Sequence, residues 1–127
     1  MSAVDQGAKL VLLVDDDDDI REVAAAALEF VNGFRIVTAS SGLDALRVAR
    51  QEMPDGIVLD VMMPGMDGLE TAARLAADPA TAGIPVILLT ARVDAAESSN
   101  AVRGLIRKPF DPMRLGAEIS RHFGWEQ

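Results

Sequence analysis

Five short runs dominated by Val, Ile and Leu recur along the chain, and each is followed by a stretch patterned for a helix. The runs are Leu10–Val14, Arg35–Ala39, Gly56–Val61, Pro85–Ala91 and Gly104–Arg107. Most are apolar at consecutive rather than alternate positions, as in strands covered on both faces of a parallel sheet. The stretches Ile20–Val31, Gly42–Glu52, Leu69–Ala77, Ala95–Val102 and Pro112–Phe123 read as the helices between and after them. Five βα units in series predict an α/β three-layer sandwich around a parallel five-stranded sheet. Asp19, Asp67 and Asp111 each precede a helical run and are expected to cap it, and Pro112 suits a first helical turn. The 127 residues, half of them hydrophobic, suffice for one domain with one core and not for two. No repeat, linker or composition break divides them, so a single domain over 1–127 is expected.

In open α/β sheets ligands gather beyond the carboxyl ends of the strands. The first strand ends in "VLLVDDDDDI", where four apolar residues run into five consecutive aspartates, Asp15 to Asp19. Asp15 and Asp16 therefore follow strand 1. Asp60 ends strand 3 in "IVLDV", Thr90 and Ala91 end strand 4 in "ILLTA", and Lys108 ends strand 5 in "IRKPF". Carboxylates sharing a pocket cannot all stay ionised without a cation nearby. An all-oxygen set with few protein donors suits Mg²⁺, which keeps waters and takes remaining ligands from phosphate. A central carboxylate can attack phosphorus and become an aspartyl phosphate. Mg²⁺ and Lys108 would then neutralise charge, while the Thr90 hydroxyl and the Ala91 N–H hold phosphoryl oxygens.

The segments "LVLLVDDDDDIRE", "IVLDVMMPGMDGLE", "PVILLTAR" and "IRKPFDP", in this order and spacing, resemble the receiver domain of bacterial two-component response regulators, over about Lys9 to His122. The resemblance implies a flavodoxin-like (βα)5 fold with strand order 2-1-3-4-5. It makes Asp60 the phosphoacceptor and Asp16 a direct Mg²⁺ ligand. Asp15 would act on the metal directly or through water, and the Met62 backbone carbonyl would complete the protein's share of the shell. Thr90 would be the switch hydroxyl, Lys108 would pair with Asp60 or its phosphoryl group, and Lys108–Pro109 would be cis. The donor would be a sensor histidine kinase or a histidine phosphotransfer protein, and the signal would pass to a downstream protein target. Such a module is not a metabolic enzyme; it promotes only its own phosphorylation and dephosphorylation. Two departures stand out. Leu105 occupies a position usually aromatic, and the stretch from Thr90 to Lys108 is short by about one helical turn. Met62 and Arg92, two residues after Asp60 and Thr90, would flank the path of the hydrolytic water and are expected to make dephosphorylation slow.

Plainer roles are expected for other residues. Asp17 and Asp18 read as solvated, and Asp19 as a favourable negative charge at a helix N-terminus. Met62, Met63 and Met66 read as adaptable packing, His122 as a surface residue, and Asp94 to Glu97 as a capping-box-like start. The net charge of −8 argues against sequence-independent nucleic-acid binding. No apolar run approaches the roughly 20 residues of a membrane span, and "MSAVDQGAKL" lacks a signal pattern. A cytoplasmic protein is expected, free of disulfides because it has no cysteine. It would be a stand-alone regulator or a receiver cut from a larger protein. The alternative is a small phosphohydrolase of haloacid-dehalogenase type, with Asp15 as nucleophile and Asp17 as acid/base. A nucleotide binder lacks the glycine-rich loop it would need after strand 1.

Overall fold

The computed structural model describes residues 7–91 and 101–125. Its elements run β1 (Leu10–Val14), α1 (Asp18–Asn32), β2 (Arg35–Ala39), α2 (Gly42–Glu52), β3 (Gly56–Asp60), α3 (Gly68–Ala77), β4 (Val86–Thr90), β5 (Gly104–Arg107) and α4 (Pro112–Phe123). The strands form one sheet in the order β2-β1-β3-β4-β5, and every neighbouring pair is parallel. This is the flavodoxin-like arrangement expected from the sequence. Strand bounds differ from the expected ones by at most one residue at either end of β3 and β4, and α1 begins two residues earlier than expected.

The pleat explains the three layers. Successive side chains of a strand point to opposite faces, and β1, β3 and β4 are buried throughout. Leu12, Val14, Ile57, Leu59 and Leu88 pack on one face with Ala45, Val48 and Ala49 of α2 and with Ala72 and Leu75 of α3. Val11, Leu13, Val58, Ile87, Leu89 and Ile106 pack on the other with Ala24 and Leu28 of α1 and with Leu115, Ile119 and Phe123 of α4. The edge strands β2 and β5 are only partly covered. At the amino ends of the strands, Trp125 packs on the second core, its ring edge-on to Phe34 and tilted against Phe123, with the Lys9 ammonium 5.3 Å from its ring centre.

Helix ends correct one expectation and support two. Asp67 and Asp111 cap α3 and α4 as expected. The cap of α1 is Asp17, not Asp19: the Asp17 carboxylate accepts from the Asp19 and Ile20 N–H groups, and Asp19 lies inside the first turn. Ser41, which carried no expectation, caps α2. Gly33 closes α1 at a φ of 69°, a conformation that glycine adopts without a Cβ penalty. His122 is half-buried rather than a surface residue, and its ring covers Gly104 of β5. Four of the five expected helices fall among the described residues. Most of the other, Ala95–Val102, lies outside them, as do Arg92 and the Asp94–Glu97 stretch. Ala101 and Val102 are described and, with Leu105, pack against the first core.

Candidate functional site

The carboxyl ends of β1, β3 and β5 converge because those strands are parallel and in register. The pleat that sends Val11 and Leu13 to the α1–α4 face continues to Asp15. The same alternation takes Val58 to Asp60 and Ile106 to Lys108. Three candidate side chains from distant parts of the chain therefore point to one side of the sheet's end. The Lys108 ammonium lies 3.1 Å from Asp15 Oδ2 and 3.2 Å from Asp60 Oδ1. Asp15 and Asp60 are buried, at 1% and 3% exposure, so neither charge is met by bulk water. Asp16 is exposed beside them, and one carboxylate oxygen from each of Asp15, Asp16 and Asp60 lies within 4.8 Å of the others.

The electrostatics show how this pocket stands without a cation. Burial pushes the Asp60 carboxyl up, the Asp15 charge pushes it further, and Lys108 and the Met62 N–H pull it back, leaving it at about 6. For Lys108, burial works against the charged form, yet hydrogen bonds and charges from Asp15 and Asp60 outweigh it and raise its pKa. One ammonium thus serves two buried carboxylates, and the cluster stays short of positive charge. The donors are hard carboxylate oxygens with an exposed member for access, which fits a hard cation of the Mg²⁺ class.

Other expected residues stand around this centre. Thr90 is fully buried at the end of β4, and its carbonyl accepts from the Lys108 N–H at 2.9 Å, tying the ends of β4 and β5 together. The register pairs Asp60 with Leu89, so Thr90 sits one residue beyond Asp60's level. Ala91 follows, exposed. The Lys108–Pro109 bond is cis. Met63 packs in the first core, but the Met62 side chain is 60% exposed and not packing, contrary to expectation. An apolar groove opens beside the cluster, lined by Ile20, Val23, Ala91, Pro109, Phe110 and Pro112.

Two supporting residues were not expected. Gly68 opens α3 directly over the end of β3: its N–H donates to the Val61 carbonyl at 2.9 Å, and a Cβ there would run into the Asp60 carbonyl oxygen. Glycine by type suits a turn, but nothing in the sequence pattern marks this contact with Asp60. Arg21, one residue past "DDDDDI", sends its guanidinium back to the Asp15 carbonyl at 2.8 Å.

Comparison with known proteins gives a concordant result. Residues 11–120 match the family model described as the response regulator receiver domain. The chain is 41% identical over 118 residues to the phosphate regulon transcriptional regulatory protein PhoB of Pseudomonas aeruginosa, covering 87% of this chain and 50% of that protein. It therefore spans about half the length of that relative. Among solved structures, the chemotaxis protein CheY4 of Vibrio cholerae aligns with a TM-score of 0.81 at 29% identity, covering 91% of this chain and 98% of that one. The receiver domain of the sensor histidine kinase PA1611 from Pseudomonas aeruginosa, solved with a magnesium ion coordinated in its active site cleft, aligns with a TM-score of 0.78 at 26% identity, covering 93% and 99%.

Proposed function

Because this chain belongs to the response regulator receiver domain family of two-component systems, we propose that Asp60 is its phosphoacceptor, loaded by a sensor histidine kinase or a histidine phosphotransfer protein. In that step an Asp60 carboxylate oxygen forms a bond to phosphorus. The N–P bond of the phosphoimidazole breaks, and the departing nitrogen keeps the electron pair. The observation that carries the reading is the setting of Asp60: a buried carboxylate 3.2 Å from the Lys108 ammonium and flanked by Asp15 and Asp16. Lys108 is placed to follow charge from the carboxylate to an arriving phosphoryl oxygen. The Thr90 hydroxyl and the Ala91 N–H take the role of holding the others.

Asp15, Asp16, Asp60 and the Met62 carbonyl would hold Mg²⁺. The ion, when bound, supplies the positive charge that the carboxylates lack and that phosphoryl transfer needs. The magnesium in the PA1611 receiver supports this assignment. The groove beside the cluster gives a phosphodonor protein apolar surface to sit on while its histidine reaches Asp60. The module covers 1–127 as one domain and works in the cytoplasm; among the described residues no helix is long and apolar enough to cross a membrane. It turns over no metabolite and passes its state to a downstream protein target. The phosphohydrolase alternative needs Asp17 free as acid/base, whereas Asp17 caps α1 with its carboxylate.

Incubation with acetyl phosphate and Mg²⁺ tests the assignment. The parent is expected to gain one covalent phosphoryl group by mass spectrometry, and Asp60→Asn none. Labelling of Asp60→Asn to the parent's level would overturn it, and loss of labelling in Asp15→Asn alone would favour the phosphohydrolase.

A further inference from the structure

The β1–α1 connection is held by more than the helix cap. The Asp15 N–H donates to the Ala39 carbonyl at 3.2 Å. The Asp17 N–H donates back to Asp15 Oδ1 at 3.0 Å. The remaining end is the Asp15 carbonyl, and there the Arg21 guanidinium donates through Nη1 at 2.8 Å while its Nη2 reaches Asp18 Oδ1 at 2.6 Å. The Arg21 side chain is only 17% exposed, whereas Asp18 is 76% exposed.

Peptide units are planar, so fixing a carbonyl fixes the N–H of the next residue. The unit before Asp16 is fixed by Arg21, and the unit after it by the Asp15 carboxylate. Asp16 itself is exposed, so packing does little to hold it. Both of its flanking peptides are clamped, and its carboxylate reaches the Asp15–Asp60 cluster. Because Asp18 is exposed, its pair with Arg21 contributes little by itself; its consequence is to aim the fork at the carbonyl.

We propose that Arg21 is a positioning residue for the cation site, holding the Asp15–Asp16 peptide so that Asp16 is presented before any cation arrives. The inference rests on the reading of the acidic cluster as a Mg²⁺ site. It carries a sign that separates it from simple electrostatics. Arg21 is a positive charge beside the site, so by Coulomb's law alone its removal would tighten Mg²⁺ binding. Loss of positioning weakens it instead.

Mg²⁺ affinity, measured by isothermal titration at fixed ionic strength, decides between these. Arg21→Met is expected to raise the Mg²⁺ Kd by about tenfold, the lower end of what losing an outer partner of a metal ligand costs. Arg21→Lys keeps the charge but lacks the planar fork, and its Kd is expected to rise severalfold. In the metal-free protein, exchange of the Asp17 amide hydrogen is expected to quicken in Arg21→Met while α3 amides stay as protected as in the parent. Mg²⁺ binding as tight as the parent's, or tighter, in either variant overturns the proposal. Failure of the parent itself to bind Mg²⁺, or undiminished binding by Asp16→Ala, overturns the reading of the site instead.

Discussion

At Asp60 the proposed phosphoryl chemistry and the need for a stable fold pull in opposite directions. Its carboxyl is pushed up to about 6, first by burial and then by Asp15. An unfolded aspartate titrates near 3.9. The folded state therefore holds this proton more tightly than the unfolded chain does. The resulting stability is complete below about pH 4 and is lost as pH rises through about 6. A shift of about two units corresponds to roughly 3 kcal/mol as a ceiling. In chelator, Asp60→Asn is expected to be more stable than the parent by about 1–3 kcal/mol at pH 7.5, with the gain vanishing near pH 4. Urea midpoints across this range check it; a gain equal at both ends would remove the charge explanation. The same scale shows what a sequence conceals. Five identical aspartates take five settings: Asp15 buried against Lys108, Asp16 exposed at the cluster, Asp17 capping α1, Asp18 paired with Arg21, and Asp19 in the first helical turn. Residue type alone cannot rank them. The cap was expected at Asp19 because the apolar period begins at Ile20, whereas the chain leaves β1 in a conformation that makes Asp17 the first residue able to cap.

Elements were the most legible scale. Consecutive apolar runs mark strands buried on both faces, and β1, β3 and β4 have that burial. The strand-end positions of Asp60, Thr90 and Lys108 then followed from topology, since parallel strands all end on the same side. What pattern cannot express is how closely two elements approach. Gly68 shows this. The start of α3 lies so near β3 that a Cβ would meet the Asp60 carbonyl oxygen and sit 2.7 Å from the Val61 Cα. Both obstacles are backbone, so the helix would have to move away, stretching the 2.9 Å bond from Gly68 to Val61. Gly68→Ala is expected to destabilise the fold by about 2 kcal/mol, in the range of overpacking costs. It should also slow labelling by acetyl phosphate, because the loop bearing Met62 moves with the helix. Gly83→Ala is the control: the space within 4 Å of where its new methyl would sit is open, and its φ is ordinary, so a change within about 0.5 kcal/mol is expected. Equal effects of the two substitutions in urea denaturation would show that the β3–α3 approach carries no strain-sensitive contact.

The whole molecule carries a net charge of −8, concentrated in part on Asp15 to Asp19, which run from the end of β1 into the first turn of α1. Two cation effects on stability follow, and they separate by concentration and by valence. Any salt screens the general self-repulsion, an effect set by ionic strength with a Debye length near 10 Å at about 0.1 M. A bound Mg²⁺ acts instead by mass action on the folded state, because the unfolded chain does not bring Asp15, Asp16 and Asp60 within 4.8 Å of one another. At a Mg²⁺ concentration about ten times its Kd, this linkage contributes about 1.4 kcal/mol. For a domain of this size that is a rise in Tm of roughly 4–8 °C. The rise should exceed that produced by NaCl at matched ionic strength and should saturate, while the NaCl effect grows gradually. Asp16→Ala separates the two further. It deletes an exposed member of the cluster, so it should lose most of the Mg²⁺ increment, keep the NaCl response, and start from a metal-free Tm at or above the parent's because one repelling carboxylate is gone. Thermal scans of both proteins in the two salts measure all of this. If Mg²⁺ and NaCl coincide at equal ionic strength for the parent, the acidic end of the sheet is a screened surface and not a cation site.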